Sequence, residues 1–239
     1  MNTAVEFLAT ANPPTASILI LFKFGAAEHL RAFREKGLMH MRTLSYFADQ
    51  EANPARKDEL EGSSSMTQPW DVGDFTIEHP LLGKHKVDPS ELGGPIIIRL
   101  SRESERNIFC MFAITEPQET PLLNSKNLDF GDSFVLILNR PAFFDRIRKA
   151  ADIIGLRVDA GLVQYFAEDT YSGTIGAFRK SSRYTHQREF RIVAAPGLSP
   201  YRELVLGSLE DITTPVLPLS ELDTLVDFTP ASARDAGLI

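Results

Sequence analysis

Tyr184-Thr185-His186-Gln187-Arg188-Glu189-Phe190-Arg191-Ile192-Val193 reads as the approach to a β-strand, because Phe190, Ile192 and Val193 favour extended backbone. Period-two geometry points Gln187, Glu189 and Arg191 to one face of that strand and Arg188, Phe190 and Ile192 to the other. A carboxylate so placed either pairs with a cation or does chemistry, since an unpaired buried charge is costly. Taken alone, these residues favour an ion pair between Glu189 and an arginine at a sheet edge.

The strands around this stretch set the fold class. Strand patterns fall at 17–24, 38–43, 75–78, 95–101, 107–115, 134–139, 162–167, 189–194 and 203–206. The second of these leads on to Tyr46-Phe47. Helical patterns are fewer. One covers 26–36, with Leu30 and Phe33 apolar and Gly37 at the C-cap position. Another opens at Pro141, shows a face of Phe144, Ile147, Ala151 and Ile154, and stops at Gly155. Residues 208–212 suit a helical turn before a last edge strand. Few helices separate consecutive strands, so the expectation is α+β with a mostly antiparallel sheet. Residues 1–16, with Pro13-Pro14, read as a loose leader, and 17–239 as a single domain. Between about 49 and 74 the chain turns polar, which marks a functional or mobile loop with Trp70 expected to anchor one end.

Composition sets limits on function. A chain of 239 residues with 43% hydrophobic and 24% charged residues can build its core without metal or disulfide staples. Cys110 sits in the apolar run Ile108-Phe109-Cys110-Met111-Phe112 and reads as a buried, inert thiol. No Cys/His spacing suits zinc, and no Gly-x-Gly-x-x-Gly or Walker A sequence occurs. The apolar run at 18–24 is short, broken by Lys23 and without a basic leader, so a cytoplasmic protein with no membrane anchor is expected. The net charge of −7 argues against nucleic-acid binding by the whole surface. A local patch is a separate matter. Arg179, Lys180, Arg183, Arg188 and Arg191 fall within thirteen positions beside Phe178 and Tyr184, as a solvated face or, less commonly, a phosphate or nucleotide contact.

Three polar groups carry candidate chemistry. Lys23 and Gly25 end the first strand just before a helix, whose N-terminal N–H groups can bind an anion; an ordinary surface lysine is the commoner case. Arg56, Asp58 and Glu61 in the polar loop suit a phosphate or metal clamp, or equally a solvated turn ending at Gly62. Gln187-x-Glu189 suits the stabilisation of an oxocarbenium-like transition state, provided that a neighbour such as Arg183 or Arg191 keeps Glu189 ionised.

Leu21-Phe22-Lys23-Phe24-Gly25, a helix containing His29-Leu30, Lys36-Gly37-Leu38 and Thr43 to Phe47 resemble the opening of a widespread bacterial family without assigned function. Cys110-Met111-Phe112 and the run from Tyr184 to Arg191 look like its later hallmarks, while Phe47-Ala48-Asp49-Gln50-Glu51 stands where its Asn-Asp-Pro is usual. The same layout resembles the ADP-ribosyltransferase superfamily, particularly its DNA-modifying branch. That resemblance implies an ADP-ribosyltransferase-like sheet and transfer of ADP-ribose from NAD, a substrate needing no metal, to a nucleic-acid or protein acceptor in a toxin or phage-defence setting. It implies Glu189 as the catalytic glutamate, Gln187 as its acceptor-positioning partner and Arg56 as the pyrophosphate arginine. Lys23 and Gly25 would contact NAD, with Lys23 standing where members carry His or Arg, and Tyr46 or Phe47 would stack on nicotinamide. Arg179, Lys180, Arg183 and Arg188 would face a nucleic acid. Two rivals accompany this reading: a noncatalytic binding protein of the same fold, and a metal-dependent nuclease using Asp58, Glu61 and Glu189.

Overall fold

Apolar residues on the first strand, β1 (Ile18–Gly25), point to both faces, and a short helix, α1 (Ala27–Lys36), packs Leu30 and Phe33 inward beside it. The helix stops at Gly37, whose φ of 65° is left-handed and whose N–H bonds Ala32 O; a Cβ there would lie 2.1 Å from Gly207 O. β2 (Leu38–Thr43) follows, then α2 (Leu44–Asp49), so Tyr46 and Phe47 sit on a helix and do not extend the strand. This computed structural model describes residues 18–49, 51–53, 56–73, 75–81, 83–115 and 129–222. The expected leader at 1–16, together with Ser17, Gln50 and Pro54, lies outside them.

The polar stretch is more ordered than its composition suggests. It contains β3 (Ser65–Thr67) and buries Asp58, Glu61, Ser63, Ser64, Met66 and Gln68. Trp70 does not anchor it; the side chain is 66% exposed on a short turn of 3-10 helix. An exposed hairpin, β4 (Phe75–His79) and β5 (Gly83–Val87), leads to β6 (Ile96–Ile98) and α3 (Ser101–Ser104). The apolar run then forms β7 (Asn107–Thr115), and beyond it come β8 (Ser133–Leu136) and α4 (Arg140–Ile153). Asn139 caps α4 by accepting from Ala142 N, and Pro141 occupies the first turn, where no intrahelical donor is needed. Its buried face is Phe143, Ile147 and Ala151; Ile154, expected inside, is exposed.

The remaining elements are β9 (Arg157–Leu162), β10 (Gln164–Phe166), β11 (Gly173–Thr174), β12 (Arg179–Ser181), a 3-10 helix at Ser182–Gln187, β13 (Glu189–Ala195), β14 (Tyr201–Val205) and β15 (Leu217–Pro218). Eight strands build the main antiparallel sheet. Its path runs β14-β2-β7-β1-β8-β15, with β13 and then β9 attached to β7. The fold is α+β.

β7 organises this sheet. Along one edge it pairs with β13, from Asn107↔Ala194 to Phe112↔Glu189. Along the other it is shared: β2 takes Asn107 and Ile108, and β1 takes the residues from Phe112 to Thr115. The edge therefore forks near Cys110. On one face of the sheet, Phe109, Met111, Phe190 and Ile192 pack under Phe33, Phe143 and Ile147 of α1 and α4 in the largest apolar layer. Fully burying a side chain of this size contributes about 1.5–3 kcal/mol. The opposite face carries a smaller apolar group of Leu44, Ile108, Ala177 and Val193, with Phe47, Cys110 and Phe178 packed against it. Among the described residues no helix is long and apolar enough to cross a membrane.

Candidate functional site

On that opposite face lies a group of buried charges: Arg191 (0% exposed), Glu61 (2%), Asp58 (3%), Lys180 (4%) and Glu189 (6%). Alternation along β13 puts Glu189 and Arg191 on the same side, away from the α1 and α4 layer. Arg191 uses its whole donor set. Nε and Nη2 donate to the two Glu189 oxygens at 3.0 and 3.1 Å, and Nη1 and Nη2 to the two Glu61 oxygens at 2.7 and 2.6 Å. The fifth N–H, from Nη1, reaches Ala177 O at 2.7 Å. A guanidinium can be buried at this depth only when every donor is matched in this way.

Lys180 supplies the second cation, with Nζ 3.6 Å from both Glu61 Oε2 and Glu189 Oε2. It donates to Gln187 Oε1 at 2.8 Å and lies 4.7 Å from the centre of the Tyr184 ring. Burial disfavours its ammonium, but Glu189 and Glu61 reverse that and raise its pKa. Burial likewise pushes the Glu189 carboxyl up, yet Arg191 and Lys180 outweigh burial and hold it down to about 2. Asp58 is the odd member. Burial and the neighbouring Glu61 raise it from 3.8 to about 6, against the weaker pulls of Lys180, Leu60 N and Arg191.

Gln187 belongs to the 3-10 helix at Ser182–Gln187 and not to an extended strand. It still reaches the cluster, buried and braced by Lys180. Lys180, expected to face a nucleic acid, is enclosed among carboxylates and cannot do so. Of its companions, Arg183 is exposed and paired with Glu168, and Arg179 donates to Thr174 O at 3.0 Å. Arg188 is half-buried at the end of the sheet, next to Glu189.

Cys110 joins the cluster to the β1 end of the site. Its thiol couples electrostatically to the Glu189 carboxylate, and its carbonyl accepts from Lys23 Nζ at 2.8 Å across the fork. Burial and then Glu189 push the thiol pKa up, so it stays protonated. Lys23 Nζ also lies 4.4 Å from the centre of the Phe109 ring. Burial lowers the Lys23 pKa; Cys110 and Glu189 oppose that, and Arg56 reinforces it. Arg56 itself is exposed and faces Glu51 at 3.8 Å. Phe47 packs against the same apolar group as Cys110, and its carbonyl accepts from Asp58 N at 3.2 Å. Tyr46 meets Phe47 edge-on, under the guanidinium of Arg42. Gly25 pairs with Ser133 and is covered by Gly131, where a Cβ would come within 2.4 Å of the Gly25 carbonyl carbon.

Sequence reading missed the Glu61–Arg191 pair, although Arg56, Asp58 and Glu61 stood out as a charged group. A metal-dependent nuclease would need Glu61 and Glu189 as ligands, and Arg191 takes up all four of their oxygens. Among the described residues no three His, Cys, Asp or Glu side chains are grouped to hold a metal ion. No protein-family model, curated protein or solved structure matches the chain.

Proposed function

We propose that this chain is an ADP-ribosyltransferase-like protein that takes NAD at the junction around Cys110 and passes ADP-ribose to a nucleic-acid or protein acceptor. The observation that carries the reading is the meeting of groups from distant segments at one residue. Lys23 bonds the Cys110 carbonyl, the Glu189 charge acts on its thiol, Phe47 packs against the same apolar group as Cys110, and Arg56 acts electrostatically on Lys23.

In this reading Lys23 and Arg56 attract the pyrophosphate, and Phe47 or Tyr46 stacks on the nicotinamide ring. As the bond from ribose C1′ to the nicotinamide nitrogen breaks, positive charge grows on the sugar. Glu189, kept ionised by Arg191 and Lys180, opposes that charge without taking a proton. The acceptor's oxygen or nitrogen then bonds C1′ and releases its proton to solvent.

A second reading, NAD binding without transfer, is favoured by one observation: Arg191 already engages both oxygens of a nearly buried Glu189. The test is nicotinamide release from NAD with oligonucleotide and protein acceptors, beside calorimetric NAD titration, for the wild type and Glu189→Gln. Transfer predicts a loss of about 10²–10³ in rate for the variant. NAD binding with no turnover in either protein selects the second reading. Absence of NAD binding removes both.

A further inference from the structure

A second group of polar side chains lies at the β2–β14 edge of the main sheet. Met39 and Met41 of β2 turn into the layer under α1 and α4, so His40 and Arg42 turn to the opposite face. Arg42 is paired on both sides, with Tyr201 of β14 and Ile108 of β7, and this fixes its backbone. Residues directly opposite each other in this way bring their side chains together. Tyr46 reaches the same guanidinium from α2. The guanidinium carbon lies 4.7 Å from the centre of the Tyr46 ring and 5.4 Å from that of Tyr201.

This arginine is held by rings, whereas Arg191 is held by acceptors. Among the described residues the Arg42 guanidinium makes no hydrogen bond and no ion pair. Contact with a ring engages the face of a guanidinium and uses none of its five N–H groups, which lie along its edge. The cation is therefore oriented and its donors are unspent. The Tyr46 and Tyr201 hydroxyls also have no partner among the described residues. All three side chains are reached by solvent: Arg42 and Tyr46 are half-buried and Tyr201 is 40% exposed.

The acid on this edge is engaged elsewhere. Glu203 Oε1 lies 3.6 Å from His40 Nδ1, and the His40 ring stacks on Tyr201 with centres 4.4 Å apart. Glu203 borders the group without capping Arg42.

We propose that Arg42, Tyr46 and Tyr201 bind a phosphate monoester, with the guanidinium edge and the two phenol O–H groups directed at its three terminal oxygens. The planar fork of an arginine suits phosphate. A phosphodiester or a carboxylate offers two free oxygens and leaves one of the three donor groups unmatched. The site goes beyond the transferase reading and does not depend on NAD. Tyr46 serves it through its hydroxyl, so stacking on nicotinamide falls to Phe47.

Phenyl phosphate is the probe, used at about pH 8, where a phosphate monoester is dianionic. Dimethyl phosphate and benzoate are the comparisons with two free oxygens. Calorimetry gives the affinity, and backbone amide NMR shifts in β2 and β14 locate the ligand. Arg42→Gln removes the charge, and Arg42→Lys keeps the charge without the fork. Tyr46→Phe and Tyr201→Phe keep the rings without their hydroxyls.

Saturable binding of phenyl phosphate with Kd near ~1 mM is expected. It should weaken at least about tenfold in Arg42→Gln, and about threefold in Arg42→Lys and in each phenylalanine variant. Dimethyl phosphate and benzoate should bind at least about fivefold more weakly than phenyl phosphate. No binding of phenyl phosphate, equal binding of either comparison, unaltered binding in any of the four variants, shifts confined to other strands, or displacement of the probe by NAD would each overturn the proposal. Melting confirms that each variant is folded; should Arg42→Gln fail to fold, the two phenylalanine variants, which keep the ring packing, still decide.

Discussion

Arg191 and Ile192 are neighbours on β13 and both are wholly inaccessible to water, yet they are buried by different means. Ile192 points into the layer under α1 and α4, among Phe33, Phe143 and Ile147, where any well-shaped apolar contact suffices. Arg191 points the other way and needs five acceptors in fixed directions, drawn from Glu61, Ala177 and Glu189. The apolar face is non-directional and degrades in steps. The charged face is directional, and losing one partner leaves others stranded. One sheet is thus tolerant on one side and exacting on the other.

The largest effect that would break this contrast is Arg191→Ala. It leaves Glu61 and Glu189 buried beside a single lysine, and a loss of about 3–5 kcal/mol is expected in urea unfolding. A loss under about 1 kcal/mol would show that water enters and the face is not exacting after all.

Asp58 sharpens the contrast through pH. The folded protein raises this carboxyl from 3.8 to about 6, so the native state holds its proton more tightly than the unfolded chain does. The stability from that proton is complete below about pH 4, falls as pH rises through 6, and is then absent. Asp58→Asn keeps an acceptor for Leu60 N, which bonds Asp58 Oδ1 at 3.0 Å, without the charge. The variant should exceed the wild type by up to about 3 kcal/mol at pH 8 and match it near pH 4. A pH-independent difference between the two melting curves would refute the assignment.

On the apolar side, Ile147→Val should cost about 1 kcal/mol at every pH, by lost methylene contact alone. Smallest of all, Trp70→Ser should change stability by less than about 0.5 kcal/mol, because the ring is out in solvent. A larger loss there would mean that the ring packs against something in solution.

The tolerant face was legible in the sequence and the exacting face was not. The unbroken apolar run within 107–115 gives β7 to the residue, and Pro141 with Gly155 brackets α4. These signals are local, set by period and by backbone chemistry. Glu61 and Arg191 are far apart in the chain, and no local pattern links them. The run at 184–187 carries strand-favouring neighbours but curls into a 3-10 helix, because Tyr184 donates to Lys57 O and Gln187 accepts from Lys180. Serines 63 and 64 read as loop and are buried for the same reason: tertiary partners decided. Within the candidate site, Lys23, Phe47, Arg56 and Glu189 follow from their order along the chain; Cys110 keeps the inert, protonated thiol that its apolar run implies, and what no local pattern shows is that its backbone carbonyl takes the Lys23 ammonium.

The fork in β7 has a consequence for motion. Between the residues held by β2 and those held by β1, the bond to the Cys110 carbonyl comes from the Lys23 ammonium and not from a neighbouring backbone amide. A backbone ladder opens only by breaking several bonds together, whereas this seam opens by breaking one, and the freed ammonium regains its hydration. β1 and β2 can therefore splay about Cys110 as two leaves about a hinge pin, and deuterium should enter the sheet first at that seam.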